Sequence, residues 1–191
     1  MQDSNSAAKL RELETQLIAL NNEIEKVRAG QTPVEVENYA FQTLTGEVTL
    51  MDLFAHRAQL LLIHNMGSQC PFCTLWADGI NGYLPHLESV LSVVLVSHET
   101  PEYQRKFAMD RGWRFNLASH GGGQYIKDQC VFGQADNHPG AVVYRKEGNK
   151  ILRLNRAAFG GGDQFNAFYG LMSLADFDSN AWQPQYHYDE K

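Results

Sequence analysis

Apolar residues recur at Leu10, Leu13, Leu17, Leu20, Ile24 and Val27, a three-four spacing with Glu12, Glu14, Glu23, Glu25, Lys26 and Arg28 between them. That period lays one apolar stripe along a helix, and Gly30 stands where the helix should end. The stripe suits packing on the chain's own domain or a dimer seam, and the spacing leaves both open. QTPVEVE then reads as a linker, and NYAFQTLTGEVTLMDLF offers short extended pieces around Gly46 before a helical turn at LMDLF. At residues 58–66, AQLLLIHNM, the pattern changes to a continuous apolar run, the mark of a strand covered on both faces. SVLSVVLVS, residues 89–97, predicts a second such strand. Between them the pattern predicts a helix with Ile80, Tyr83, Leu84 and Leu87 on one face and Pro71 in its first turn.

Thr100 and Pro101 open the next helix as N-cap and first helical residue, and it ends near Gly112. RFNLAS is a short extended piece, and GGGQYIKDQ is a glycine loop leading into a brief helix. AVVYRK and KILRLNR, joined by a Glu-Gly-Asn turn, predict a hairpin. GGGDQFNAFYGLMSL predicts a closing helix with Asp163 as its N-cap, and the tail carries Trp182, Tyr186 and Tyr188 without clear period. Alternating buried strands and helices followed by a hairpin imply an α/β domain with a parallel core and a mixed sheet. The expected division is an N-terminal amphipathic helix and linker over residues 1–34 and the α/β domain over residues 35–191.

Charge narrows the functional classes. A net charge of −6, with Arg105, Lys106, Arg111 and Arg114 interrupted by Glu102 and Asp110, argues against a nucleic-acid surface. MQDSNSAAKL has neither the basic nor the apolar region of a signal peptide, and LLLI at 60–63 is far short of a membrane span. Three cysteines do not make a disulfide framework in a chain of this length. The expected compartment is therefore the reducing cytoplasm, with no membrane or nucleic-acid partner. A C-x-x-C pair there tends to be catalytic or metal-binding.

That pair lies in SQCPFCTLWADG, residues 68–79. If it opens a helix directly after a buried strand, Cys70 meets unpaired backbone N–H groups and the positive end of the helix dipole, both of which favour a thiolate. The thiolate is the attacking species. Cys73, one turn on, can then attack a mixed disulfide at Cys70 and release the product. The partners expected on this reading are protein or small-molecule thiols and disulfides. Two ordinary buried thiols are the plain alternative. Zinc is another, but it usually takes a second such pair or a spaced histidine pair, and Cys130, His120 and His138 share no ligand spacing. Neither a metal nor a cofactor is called for. Cys130 reads as a small buried hydrophobe, Trp76 as core, and Asp78 as a hydrogen-bonding or solvated side chain.

GEVTLMDLF, QLLLIHNMG, CPFCTLWADGINGYLPHL and FYGLMSLADFD together resemble the DUF899 family, a set of uncharacterised proteins of thioredoxin-like fold. The resemblance spans nearly the whole chain and includes a charged leading helix. It implies a three-layer thioredoxin-like sandwich acting as a thiol–disulfide oxidoreductase, with Cys70 and Cys73 catalytic. Members usually carry extra residues before the first cysteine, where here Ser68 and Gln69 alone intervene, so this loop is shorter. In thioredoxin-like sites a proline, usually cis, faces the dithiol and precedes a strand, and the resemblance places Pro139 there as the substrate-facing residue. The acid often buried six residues before the first cysteine is replaced by His64, a candidate proton relay or a hydrogen-bonded core residue. Peroxiredoxins share the architecture, but their P-x-x-x-T-x-x-C motif would need proline and threonine where this chain has Ile63 and Gly67. A non-catalytic binding module of the same fold stays the competing class.

Overall fold

The computed structural model describes residues 2–132, 137–175 and 182–188. The chain divides into two compact units, Met1–Pro33 and Val34–Lys191. The first unit holds one helix, α1 (Gln2–Ala29), whose C-terminus is closed by the Gly30 amide donating to the Lys26 carbonyl at 3.0 Å.

The second unit is built on an eight-stranded sheet. Its elements run β1 (Val34–Val36), β2 (Ala40–Thr43), β3 (Gly46–Thr49), a 3-10 turn at Asp52–Phe54, β4 (Gln59–His64), α2 (Pro71–Leu87), β5 (Ser92–Ser97) and α3 (Pro101–Asp110). They continue with β6 (Asn116–Ser119), α4 (Gln124–Gln129), β7 (Gly140–Glu147), β8 (Lys150–Ala158) and α5 (Ala167–Ser173). Across the sheet the order is β1-β8-β7-β4-β5-β6-β2-β3. The β4–β5 and β5–β6 pairs are parallel and the others antiparallel, which is the mixed sheet of an α/β fold. Helix α1 precedes this domain in the chain as its N-terminal helical extension.

Side-chain alternation along the central strands makes two cores. Leu60, Leu62, Val94 and Val96 pack with Phe41, Phe54, Tyr125 and Tyr144 on one face. Leu61, Ile63, Val93 and Leu95 pack with Trp76, Ala77, Ile80 and Leu84 of α2 and Ala108 of α3 on the other. Helices therefore cover both faces, as continuous apolar strands require. Among the described residues, no helix is long and apolar enough to cross a membrane.

Several local expectations change. QTPVEVE is not all linker, because Val34–Val36 pairs antiparallel with β8, Val34 opposite Arg153 and Val36 opposite Ile151. Tyr83 is 54% exposed, so the buried face of α2 rests on Ile80 and Leu84, with Leu87 packed at its margin. Asp163 does not cap the closing helix. Asn166 does, its Oδ1 accepting from the Phe168 amide at 2.9 Å.

Gly140, the first residue of β7, sits so close to β8 that a Cβ there would collide with the Ala157 carbonyl oxygen and lie 2.6 Å from Val131 Cγ2. Backbone on one side and a buried side chain on the other leave little room to give. Gly140→Ala is expected to cost about 2–3 kcal/mol, read as a lowered urea midpoint with an unchanged m-value.

Candidate active site

The dithiol loop leaves the sheet at the end of β4. The Asn65 amide still donates to the Val96 carbonyl at 2.9 Å, and the Asn65 Oδ1 then accepts from the Gly67 amide at 2.7 Å. Gly67 has φ +109°, and a Cβ there would lie 2.9 Å from His98 Cε1 and 3.1 Å from Glu99 Oε1, so glycine is needed twice over. Ser68 follows, donating from its amide (2.8 Å) and its hydroxyl (2.6 Å) to Glu99 Oε1. On its other side the Ser68 carbonyl accepts from the Tyr186 hydroxyl. The loop is held from β5 and from the C-terminal segment at once.

Cys70 is the N-cap of α2 and Pro71 its first helical residue. The Cys70 Sγ accepts a hydrogen bond from the Cys73 amide at 3.1 Å. A sulfur in this place satisfies one of the open N–H groups of a 17-residue helix and feels the positive end of its dipole. Cys70 is half-buried, whereas Cys73 is 3% exposed. Their Sγ atoms are joined in a disulfide, with Cα atoms 5.3 Å apart, inside the ordinary range for such a bond. The Cys70 carbonyl accepts from the amide and hydroxyl of Thr74 at 3.1 and 3.2 Å, which fixes the first turn.

Behind the dithiol, Trp76 stacks on Phe159 with ring centroids 5.8 Å apart, and its indole N–H donates to the Asp163 carboxylate at 3.1 Å. Asp163 also accepts from the amides of Gly160 and Phe165, so it ties α2 to the loop after β8. Asp78 is likewise structural, pairing with the Arg111 guanidinium and accepting from the Trp113 indole at 2.7 Å. Arg111 donates to the Tyr186 carbonyl at 2.6 Å. A cavity of about 370 Å³ beside the first turns of α2 is lined by Pro71, Thr74, Leu75, Arg111, Phe168 and Trp182 among others.

Pro139 precedes β7, and in the β4–β7 register its neighbour Gly140 lies opposite His64. This puts Pro139 at the end of the sheet that carries the dithiol loop. Asn137 reaches that loop directly, its side-chain amide donating to the Met66 carbonyl at 3.3 Å. Among the described residues no peptide bond is cis, so the His138–Pro139 bond is trans, unlike the isomer usual in thioredoxin-like sites.

His64 goes elsewhere. It shares the parity of Leu60 and Leu62, and its Nε2 meets the Tyr125 hydroxyl at 2.6 Å on the face away from α2. Tyr144 donates to the same hydroxyl at 3.3 Å, and Gln129 Oε1 accepts from Tyr144 and Arg153, extending a buried polar chain. Burial, then the nearby His120, pushes the His64 pKa down to about 3. His120 is itself pushed down to about 4, by burial first and by His98 second. The geometry thus gathers Cys70, Cys73 and Pro139 at one end of the sheet and turns the His64 imidazole to the opposite face. Cys130 is buried, its carbonyl accepting from Arg156. Among the described residues no group of three or more His, Cys, Asp and Glu is placed to hold a metal ion.

Glu99 and Tyr186 are site residues that the sequence did not point to. Glu99 follows the carboxyl end of a parallel strand, the place where open α/β sheets build their sites, and that was its available signal. Tyr186 carried none.

A family model described as "Bacterial protein of unknown function (DUF899)" matches residues 4–181. A comparison with curated proteins found no match. Among solved structures, the chain is similar to the peroxidoxin BcpB of Mycobacterium tuberculosis, at 21% identity and a TM-score of 0.57 over 76% of this chain and 94% of that one. It is also similar to the bacterioferritin comigratory protein of Xanthomonas campestris, a protein with alkyl peroxide reduction activity, at 16% identity and TM-score 0.55 over 72% and 91%. Reduced Prx3 of Vibrio vulnificus matches at 15% identity and TM-score 0.55 over 76% and 98%. These likenesses show a thioredoxin-like fold. The chain belongs to the DUF899 family.

Proposed function

We propose that this DUF899 protein is a thiol–disulfide oxidoreductase in which Cys70 attacks and Cys73 resolves. The observation that carries the reading is the Cys70 Sγ at the N-cap of α2, accepting the Cys73 amide and half-buried while Cys73 is enclosed. In the reduced protein the Cys70 thiolate attacks one sulfur of a substrate disulfide. A mixed disulfide forms, and the first substrate sulfur leaves as a thiolate. Cys73 then gives up its proton and attacks the Cys70 Sγ, expelling the second substrate sulfur. The substrate is reduced by two electrons, and the protein is left with the Cys70–Cys73 disulfide seen here. An external dithiol returns it to the reduced form by the reverse exchange, a cycle suited to the cytoplasm. Pro139, at the same end of the sheet, supplies backbone for a substrate chain to lie against.

The peroxiredoxin-like neighbours favour hydroperoxide as a second substrate class, with the Cys70 thiolate oxidised to a sulfenic acid and Cys73 releasing water on closing the disulfide. Against it, Gly67 offers no hydroxyl at the threonine position of the peroxiredoxin motif, and the adjacent Ser68 hydroxyl is committed to Glu99. Equilibration in glutathione buffers of graded potential, followed by thiol counting, tests the redox cycle. Two of the chain's three cysteines should appear and disappear together, and the reduced protein should then reduce insulin disulfides. Failure of the pair to interconvert would sink the catalytic reading. Consumption of alkyl hydroperoxide faster than insulin would move the assignment to peroxidase.

A further inference from the structure

We propose that α1 is one strand of a parallel two-stranded coiled coil formed with a second copy of this chain. Among the described residues of its own unit this helix has no second element against which to bury an apolar stripe, and helices in proteins draw most of their stability from such burial. Here the helix is continuous from Gln2 to Ala29, about 42 Å at the standard rise per residue. The stripe steps by three and four residues without a break. Leu10, Leu17 and Ile24 thus take the a positions of three consecutive heptads, and Leu13, Leu20 and Val27 the d positions. Apart from Ile18 at a b position, that is the two-in-seven seam of a coiled coil, narrower than the stripe a helix presents to a globular core.

The flanking residues choose the partner and its direction. In the same register Lys9, Gln16 and Glu23 fall at g, and Glu14, Asn21 and Arg28 fall at e. In a parallel pair each g residue faces the e residue five positions later on the other helix. The contacts are then Lys9 with Glu14, Gln16 with Asn21, and Glu23 with Arg28, each formed twice by symmetry. Two are opposite charges and the third joins two amides. An antiparallel pair that keeps all six apolar layers would instead set Gln16 against Glu23 and Glu14 against Asn21, with no opposite-charge contact. Within one helix Lys9 lies 3.0 Å from Glu12, an exposed pair weak enough to be exchanged for the interhelical one.

Sedimentation of the full chain over a range of concentrations tests this. The expected mass is twice that of one chain, and Leu17→Asp should bring it to one chain over the same range. Lys9→Glu and Glu14→Lys should each weaken the dimer about tenfold by setting like charges face to face. The double variant should return to within about twofold of the original, because the swapped pair attracts again. A mass of one chain, or of more than two, overturns the proposal. So does a dimer indifferent to Leu17→Asp, or a double variant that is weaker than either single one.

Discussion

Cys70→Ser is expected to abolish disulfide turnover, by about 10³-fold or more, while Cys73→Ser captures substrate and fails to release it. The asymmetry follows from where α2 begins. The Cys70 sulfur caps the helix and accepts the Cys73 amide, so its charged form is stabilised and its half-exposed position lets a substrate sulfur approach. Cys73 is enclosed by the first turns and by the core behind Trp76. With Cys73 replaced, attack still occurs but the mixed disulfide has no resolving thiol, so non-reducing gels should show covalent adducts. With Cys70 replaced, no adducts should form. At mildly acidic pH, limiting iodoacetamide should label Cys70 of the reduced protein first. Faster labelling of Cys73, or equal trapping by both variants, would reverse the roles.

The second large effect is acid destabilisation. His64 and His120 are held neutral inside the fold, with pKa values pushed down to about 3 and about 4 from 6.5. Below pH 6.5 the unfolded chain binds protons that the folded chain refuses, so unfolding gains as pH falls. Stability from these two groups is therefore complete above about pH 6.5 and is lost progressively on the way down, towards pH 4 for His120 and towards pH 3 for His64. Inside that window each histidine contributes about 1.4 kcal/mol per pH unit, so the pair should cost about 4 kcal/mol between pH 7 and pH 5. Urea unfolding at the two pH values measures it. His64→Gln keeps an acceptor for the Tyr125 hydroxyl and should lower the slope by about half. A slope unchanged by the substitution would mean that His64 is protonated as readily in the folded protein as in the unfolded chain.

What the sequence made legible is what short-range pattern encodes. The two apolar runs are β4 and β5, the Thr100–Pro101 pair opens α3, and the Glu-Gly-Asn turn joins β7 to β8. The placement of Cys70 at a helix start likewise followed from the strand before it and the proline after it. Strand β1 escaped because three residues are too few to show a period, and its stability comes from β8, more than a hundred residues away. The facing of His64 was present in the run itself, since parity puts it with Leu60 and Leu62. A continuous apolar strand hides that alternation, because both of its faces are covered. Asp163 looked like a cap because it precedes a helix. Its real partner, Trp76, is 87 residues distant, and no local rule reports such a contact.

The two outermost strands of the sheet, β1 and β3, are three and four residues long. An exposed strand edge is a template on which another chain can add, and its hazard grows with the length of unpaired backbone it offers. Here the apolar strands β4 and β5 lie in the interior of the order, while β1 covers only Ile151–Arg153 of the nine-residue β8. Growth of another sheet directly on β1 or β3 is thereby limited to the few hydrogen bonds that three or four residues offer. A protein whose proposed chemistry requires it to join covalently with other chains thus offers them little backbone along its two outermost strands.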